Sequence, residues 1–267
     1  MPLATVDDVR LYWERVGDPD GPPVLFVNGT GGDLRARPSP LEGPLADGFD
    51  LVGYDQRGLG QSDKPDEVYT MAGYAADALG LVDEVTGWER FAVMGVSFGG
   101  MVAQEVALLA PDRVDRLVLC CTSSGGKGGS SYPLHELADL DPDERLAQTI
   151  LVSDTSIDRA WLDEHPEIVD LVRARDVGDP NDPAVAAGAR RQLEARQAHD
   201  TYDRLSALPM PTLVCAGRTD GIAPLANAET LAERIPDAEL AVFDGGHGFL
   251  MSGKPWQRIV EFLHGDT

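Results

Sequence analysis

No stretch of this 267-residue chain comes near eighteen consecutive apolar residues, so no membrane-spanning helix is expected. The start, Met1-Pro2-Leu3-Ala4, lacks the basic segment and apolar run of a secretory leader, which leaves the cytoplasm as the expected compartment. Cysteine is scarce: Cys120, Cys121 and Cys215 are odd in number, and all lie in short apolar runs that read as buried strands. A disulfide framework is therefore not expected, and a thiol inside such a strand is an inert small hydrophobe rather than an activated nucleophile. Positive charge is scarce too, with 22 Lys+Arg against 45 Asp+Glu and a net charge of −23. That field repels nucleic acid and anionic membranes, so neither is an expected partner. It also slows anionic substrates unless a local cation reverses it, although acidity of this kind serves solubility as well. No spacing of His, Cys or carboxylates resembles a metal site. The glycine-rich stretches fail the cofactor patterns: Leu34 stands where a dinucleotide loop needs glycine, and Gly128 follows Lys127 where a phosphate loop needs Ser or Thr. No metal and no cofactor are expected.

What is present, 43% hydrophobic and 25% charged residues, is the balance of an ordinary globular domain. Apolar, β-rich runs recur at Val9 to Val16, Val24 to Val27, Leu51 to Tyr54, Phe91 to Gly95, Leu117 to Cys121, Thr212 to Ala216 and Leu240 to Phe243, with helical stretches between them. That rhythm predicts a mostly parallel sheet in an α/β fold, and the continuous runs predict strands covered on both faces. The first run alternates, which suits an antiparallel edge strand with one wet face. Between Thr122 and about Leu205 the rhythm stops. The segment opens on Ser123 to Ser131, a Gly/Ser-rich stretch that reads as a flexible hinge. Helix-like pieces follow at Asp143 to Val152, Ile157 to His165 and Pro183 to about Tyr202, interrupted by breakers such as Gly178-Asp179-Pro180. The domains predicted are a core of residues 1–121 and 206–267 and a lid of about four helices over 122–205.

The sharpest motif is Gly95-Val96-Ser97-Phe98-Gly99, which follows the strand-like Phe91 to Met94 and opens the helix-like Met101 to Ala107. Gly-x-Ser-x-Gly in this context makes a sharp turn that strains the serine backbone and requires glycine beside it. Ser97 also meets the positive end of the helix, which suits a nucleophile. A hydroxyl needs a base, and the base needs an acid to orient it. Of the five histidines, His247 in Gly245-Gly246-His247-Gly248 directly follows the last strand, at the end where sites in such sheets lie. His135, His165 and His199 fall in the helical segment and read as partly exposed surface residues. Asp220, in the loop after Thr212 to Ala216, is the expected acid, preferred to Asp244, which sits only three residues before His247. For an oxyanion hole, the amide of Phe98 follows the serine, and the second donor is assigned to Thr30 in Asn28-Gly29-Thr30-Gly31-Gly32.

With these elements the chain resembles the α/β-hydrolase superfamily along nearly its full length. Asp55-Gln56-Arg57-Gly58-Leu59-Gly60-Gln61-Ser62 is similar to that family's Asp-x-Arg-Gly-x-Gly-x-Ser turn, which carries structure more than chemistry. Size and layout are similar to 3-oxoadipate enol-lactonases and small carboxylesterases. The resemblance implies a mostly parallel eight-stranded sheet flanked by helices, with a helical lid after strand six, and a cofactor-free Ser97–His247–Asp220 hydrolase. Asn28 replaces the histidine common before glycine in the oxyanion loop, a change shared with lactonase-like members, so the expected substrate is a small-molecule ester or lactone. Overall acidity favours a neutral one. A carboxylate-bearing lactone would need a cation such as Arg35 or Arg37, although either reads more simply as a solvated loop charge. Candidate substrate contacts are Asn28, Gly29, Tyr132, Trp161 and Phe249. Two alternatives stay open: a perhydrolase or non-haem haloperoxidase using the same three residues, and a non-catalytic ligand-binding member of the fold. Oligomeric state is not specified by these patterns.

Overall fold

The structure is a computed structural model that describes residues 2–137, 139–175, 177–179 and 182–265; Met1 and Pro180, both used above, lie outside them. Eight strands form one sheet in the order β1-β2-β4-β3-β5-β6-β7-β8. They span Leu3–Val6, Val9–Gly17, Pro23–Val27, Asp50–Tyr54, Phe91–Val96, Val114–Cys120, Thr212–Gly217 and Ala238–Phe243, numbered β1 to β8. From β4 to β8 every pairing is parallel, whereas β2 runs antiparallel to both β1 and β4.

The alternating run at the start is therefore antiparallel but not the sheet edge. That place belongs to β1, whose four residues join β2 through a two-residue turn at Asp7-Asp8 with φ of 42° and 67°. Positive φ at both positions matches the right-handed twist of a hairpin, and Asp tolerates it less visibly than an Asn-Gly pair.

Successive residues of the central strands serve opposite faces. Leu25, Val27, Val93, Leu117 and Val214 pack on one side against α1 (Met71–Val85), α2 (Phe98–Leu109) and α7 (Leu225–Arg234). Val24, Phe26, Met94, Val118 and Cys215 pack on the other against α8 (Lys254–His264). The three cysteines are buried and unpaired. Among the described residues no helix is long and apolar enough to cross a membrane.

Between β6 and β7 the described chain holds four α-helices and no strand: α3 (Pro142–Ser153), α4 (Arg159–Glu164), α5 (Pro166–Arg173) and α6 (Pro183–Gln197). Asp141 and Asp182 each accept a backbone N–H from the first turn while proline occupies the first helical position, the arrangement that starts a helix most cheaply. α6 ends well before Tyr202 because tertiary pairing replaces the helical bonds: Gly125 bridges Asp200, and the Thr201 N–H donates to Ser124 O at 2.8 Å. The Gly/Ser stretch is correspondingly no loose hinge. Ser123 and Ser124 are fully buried, and Gln104 of α2 donates to Ser123 O while accepting from Thr201 Oγ1 at 2.6 Å.

Candidate active site

The turn after β5 is held from two sides. Ser97 has φ 55° and ψ −117°, a conformation costing about 1–3 kcal/mol for a residue with a Cβ. Its N–H donates to Cys120 O at 2.8 Å, so β6 anchors the strained residue. A Cβ at Gly95 would lie 2.2 Å from Gly99 O, and one at Gly99 would lie 2.0 Å from Val27 O, so only glycine lets α2 start this close to β5 and β3.

Ser97, His247 and Asp220 converge although 150 residues separate the first two. The hydroxyl lies 2.9 Å from His247 Nε2, and His247 Nδ1 lies 2.8 Å from Asp220 Oδ2. An ionised carboxylate only accepts, so Nδ1 carries the ring proton and Nε2 accepts from Ser97. The other Asp220 oxygen accepts from the Ile222 and Ala223 N–H groups, both at 2.8 Å, which fixes the carboxylate. Its side chain is fully buried, whereas that of His247 is 17% exposed. Cys121 Sγ lies within 4.8 Å of the Asp220 and His247 ligand atoms, a group that could in principle hold a cation. Burial, and then the charge of Asp220, push this thiol well above the ordinary range, so it stays protonated.

Two further segments close on this chain of bonds. The end of α3 holds the acid and histidine loops. The His247 N–H donates to Ser153 O at 2.6 Å, the Thr155 N–H donates to Thr219 O at 2.8 Å, and Thr219 Oγ1 donates to Asp154 Oδ1 at 2.7 Å. Asp154 also accepts from Gly246 N–H. Its burial pushes the carboxyl up, but the hydrogen bonds from Ser156, Thr219 and Gly246 outweigh that and hold it below the usual range. The second segment is the Asn28–Gly32 loop. A Cβ at Gly29 would lie 3.4 Å from Ser97 Cβ, so the loop lies against the hydroxyl residue. Gln192 of α6 accepts from Gly31 N–H at 2.9 Å and donates to Gln56, which in turn donates to Asn28 O at 2.7 Å. Thr30 is exposed on this loop, Gly29 donates to Asn28 Oδ1, and Phe98 is fully buried at the start of α2.

Between α2 and the inserted segment lies a cavity of about 260 Å³ lined by Met101, Ser123, Ser131, His135, Arg196 and His199, among others. His199 is not a surface residue. It is buried, its Nε2 lies 3.2 Å from Ser123 O, and burial pushes its pKa down to about 4. Other candidate contacts scatter. Tyr132 is half-buried and its N–H donates to Ile222 O beside the Asp220 loop. Trp161 is 36% exposed and packs at a tilt against the His165 ring. Phe249 is buried in the core against Phe243. Arg35 is gripped by Asp33, and Arg37 by Leu34 O, Ala36 O and Glu42. Asp55 accepts from Leu34 N–H and Gln61 N–H, and burial pushes it up to about 6.

The sequence does not mark Gln56, Gln192, Asp154 or Arg196 as residues of a site, and His199 reads there as a surface residue. Nothing marks them there, since each is an ordinary polar residue of a helix or turn until tertiary packing buries it.

Residues 22–152 match the family described as alpha/beta hydrolase fold. The chain is 32% identical over 245 residues to "Putative carbamate hydrolase RutD" of Variovorax paradoxus, covering 89% of each. It is 30% identical over 246 residues to the poly(3-hydroxyalkanoate) depolymerase of Ectopseudomonas oleovorans, covering 89% of this chain and 82% of that one. The enol-lactonase of Burkholderia xenovorans LB400 superposes with a TM-score of 0.82 at 25% identity, covering 98% of this chain and all of that one. Matched in sequence across most of its length and in fold from end to end, the chain belongs to the α/β-hydrolase family.

Proposed function

We propose that this protein is a serine hydrolase that cleaves a carboxylic ester or lactone through an acyl-enzyme intermediate. The observation that carries the reading is the unbroken chain from Ser97 Oγ to His247 at 2.9 Å and from His247 to Asp220 at 2.8 Å. Ser97 Oγ attacks the carbonyl carbon while its proton passes to His247 Nε2. Asp220 stabilises the imidazolium. The amides of Phe98 and Thr30 receive the developing oxyanion, each worth about 10²–10³-fold in turnover. Collapse re-forms the carbonyl and breaks the bond between the acyl carbon and the alkoxy oxygen, and the departing alkoxide takes the proton from His247. A water then gives a proton to the imidazole and attacks the acyl carbon, and Ser97 regains its proton as the acid leaves. Residues 122–205 roof the pocket and set its shape. The relatives named for polyester and enol-lactone substrates support an acyl–oxygen bond as target, and the one named for carbamates defines the comparison substrate.

A fluorophosphonate probe should label the wild type and not Ser97→Ala. An unlabelled wild type would overturn the reading in favour of a ligand-binding protein. p-Nitrophenyl esters of increasing chain length, run beside lactones and a carbamate, then rank the substrates.

A further inference from the structure

We propose that the cavity beneath the inserted helices seats a carboxylate carried by the substrate, gripped by Arg196, so that the preferred ester or lactone is an anionic one. Only the identification of the ligand as a substrate rests on the hydrolase reading above.

Arg196 is 7% exposed, lines the cavity, and spends one nitrogen on structure: Nη1 donates to Tyr132 O at 2.8 Å. Its Nε and Nη2 are buried without a hydrogen-bond partner. Those two nitrogens present the parallel N–H pair that fits a carboxylate side-on. This protein uses that same edge elsewhere. Arg10 grips Asp63, Arg15 grips Asp50 and Arg57 grips Asp77, each through Nε and Nη2. The chain has 45 Asp+Glu from which to supply such a partner, and Arg190 and Arg204 near Arg196 both have one. A guanidinium buried with its gripping edge unpaired is expensive, and a ligand carboxylate removes that expense. Burial pushes Arg196 down only to about 10, so it is charged at neutral pH.

The surroundings suit an anion. Ser123 and Ser131 share a hydrogen bond at 2.9 Å, from which one hydroxyl can turn to a ligand. Among the described residues the one carboxylate of the lining, Glu136, is an exposed residue of the Leu134–Leu137 turn. Short paths of contact join the cavity to the Ser97–His247–Asp220 group: Tyr132, whose carbonyl accepts from Arg196, donates its N–H to Ile222 O beside Asp220. Met101 on its wall is one helical turn beyond Ser97, whose carbonyl its N–H meets at 3.3 Å. Gln192, one turn before Arg196 on α6, is bonded to Gly31 in the oxyanion loop. The net charge of −23 repels anions at long range, and a buried cation in the pocket reverses that field where it matters.

The test compares monomethyl glutarate and monomethyl adipate with neutral methyl esters of equal length. In the wild type the hemiesters should win in kcat/KM by at least about tenfold, mainly through KM, the scale of one charge-assisted contact. Arg196→Gln should bring that ratio to about 1, and Arg196→Lys should retain part of it. The binding arm titrates glutarate calorimetrically into Ser97→Ala, where uptake is expected, and into the Ser97→Ala/Arg196→Gln double variant, where it should vanish. Circular dichroism checks that the variants fold, and the wild-type ratio needs no variant. Equal turnover of hemiesters and neutral esters with no glutarate uptake overturns the anion seat and leaves the hydrolase reading standing. Glutarate uptake lost with Arg196, in a protein that hydrolyses neither ester and is not labelled by the fluorophosphonate, keeps the anion seat and overturns the hydrolase reading.

Discussion

The loops at the strand ends and the helical segment between β6 and β7 contribute to the same site in different ways. Ser97, Asp220 and His247 stand on short loops at the carboxyl ends of β5, β7 and β8, each held by strand pairing and backbone bonds. Asp154 and Gln192 come from the helical segment and bond to the loops of the site, whereas Arg196 and His199 of the same segment line the cavity. The difference teaches that the first set can bear reaction steps, because its geometry is imposed by the sheet. On the proposals above, the second set tunes position, substrate and stability.

That comparison is broken or sharpened by substitution. The largest effects should come from the strand-end set. Ser97→Ala or His247→Ala should lower kcat on a p-nitrophenyl ester by about 10⁶-fold, and Asp220→Asn by about 10⁴-fold. The double variant Ser97→Ala/His247→Ala should be no worse than either single one, because the residues act as a unit. Additive losses would mean that the three do not form one relay.

The next effect tests whether the helical segment merely covers the site. Asp154 ties Gly246, next to His247, to Thr219, next to Asp220. Asp154→Ala should loosen both loops and reduce kcat by up to about 10²-fold with KM little changed, the scale of a small misplacement of catalytic groups. Asp154→Asn still offers an acceptor oxygen and should recover most of the loss. If alanine and asparagine variants behave alike in kcat, the clamp is not a positioning device.

These two sets also differ in how legible they are in the sequence. The elbow could be read because strained backbone demands glycine: Gly95 and Gly99 announce Ser97. His247 and Asp220 could be read because turn-forming residues follow apolar runs. β1 escaped notice because four residues make a short run and Asp7-Asp8 is an inconspicuous turn. His199 was misread for a different reason. The polar run from α6 onward looks like a solvated face, but past the helix end the bridge between Gly125 and Asp200 and the bonds to Ser123 O and Ser124 O turn His199 inward. Burial by tertiary pairing leaves no local mark.

His199 gives the helical segment a pH signature of its own. Burial holds its folded pKa at about 4, below the ordinary 6.5. The unfolded chain therefore binds the proton more readily, and the stability this neutral imidazole contributes is lost as pH falls from 6.5 toward 4. The full loss is on the order of 3 kcal/mol. Asp55 acts oppositely, since its folded value of about 6 against 3.8 makes folding take up a proton and gain stability over a similar window. Urea midpoints of wild type and His199→Gln between pH 7 and pH 4.5 cancel the Asp55 contribution, and the wild type should lose more on acidification. Parallel curves would mean that the imidazole is already charged or already hydrated in the fold.

The smallest effect separates the buried cation from those on the oxyanion loop. Arg35 is nearest in sequence to the proposed oxyanion donor Thr30, and by sequence alone it is as good a carboxylate partner as Arg196. Its Nε and Nη2 are spent on Asp33, however, and its side chain is 46% exposed. An exposed pair of this kind contributes little, because water and salt screen it and a substrate carboxylate would have to displace Asp33 to be held. Arg35→Ala should therefore change kcat/KM for hemiesters and for neutral esters by the same factor, within about twofold. A selective loss on hemiesters would place the anion at the loop and leave the Arg196 edge without a ligand.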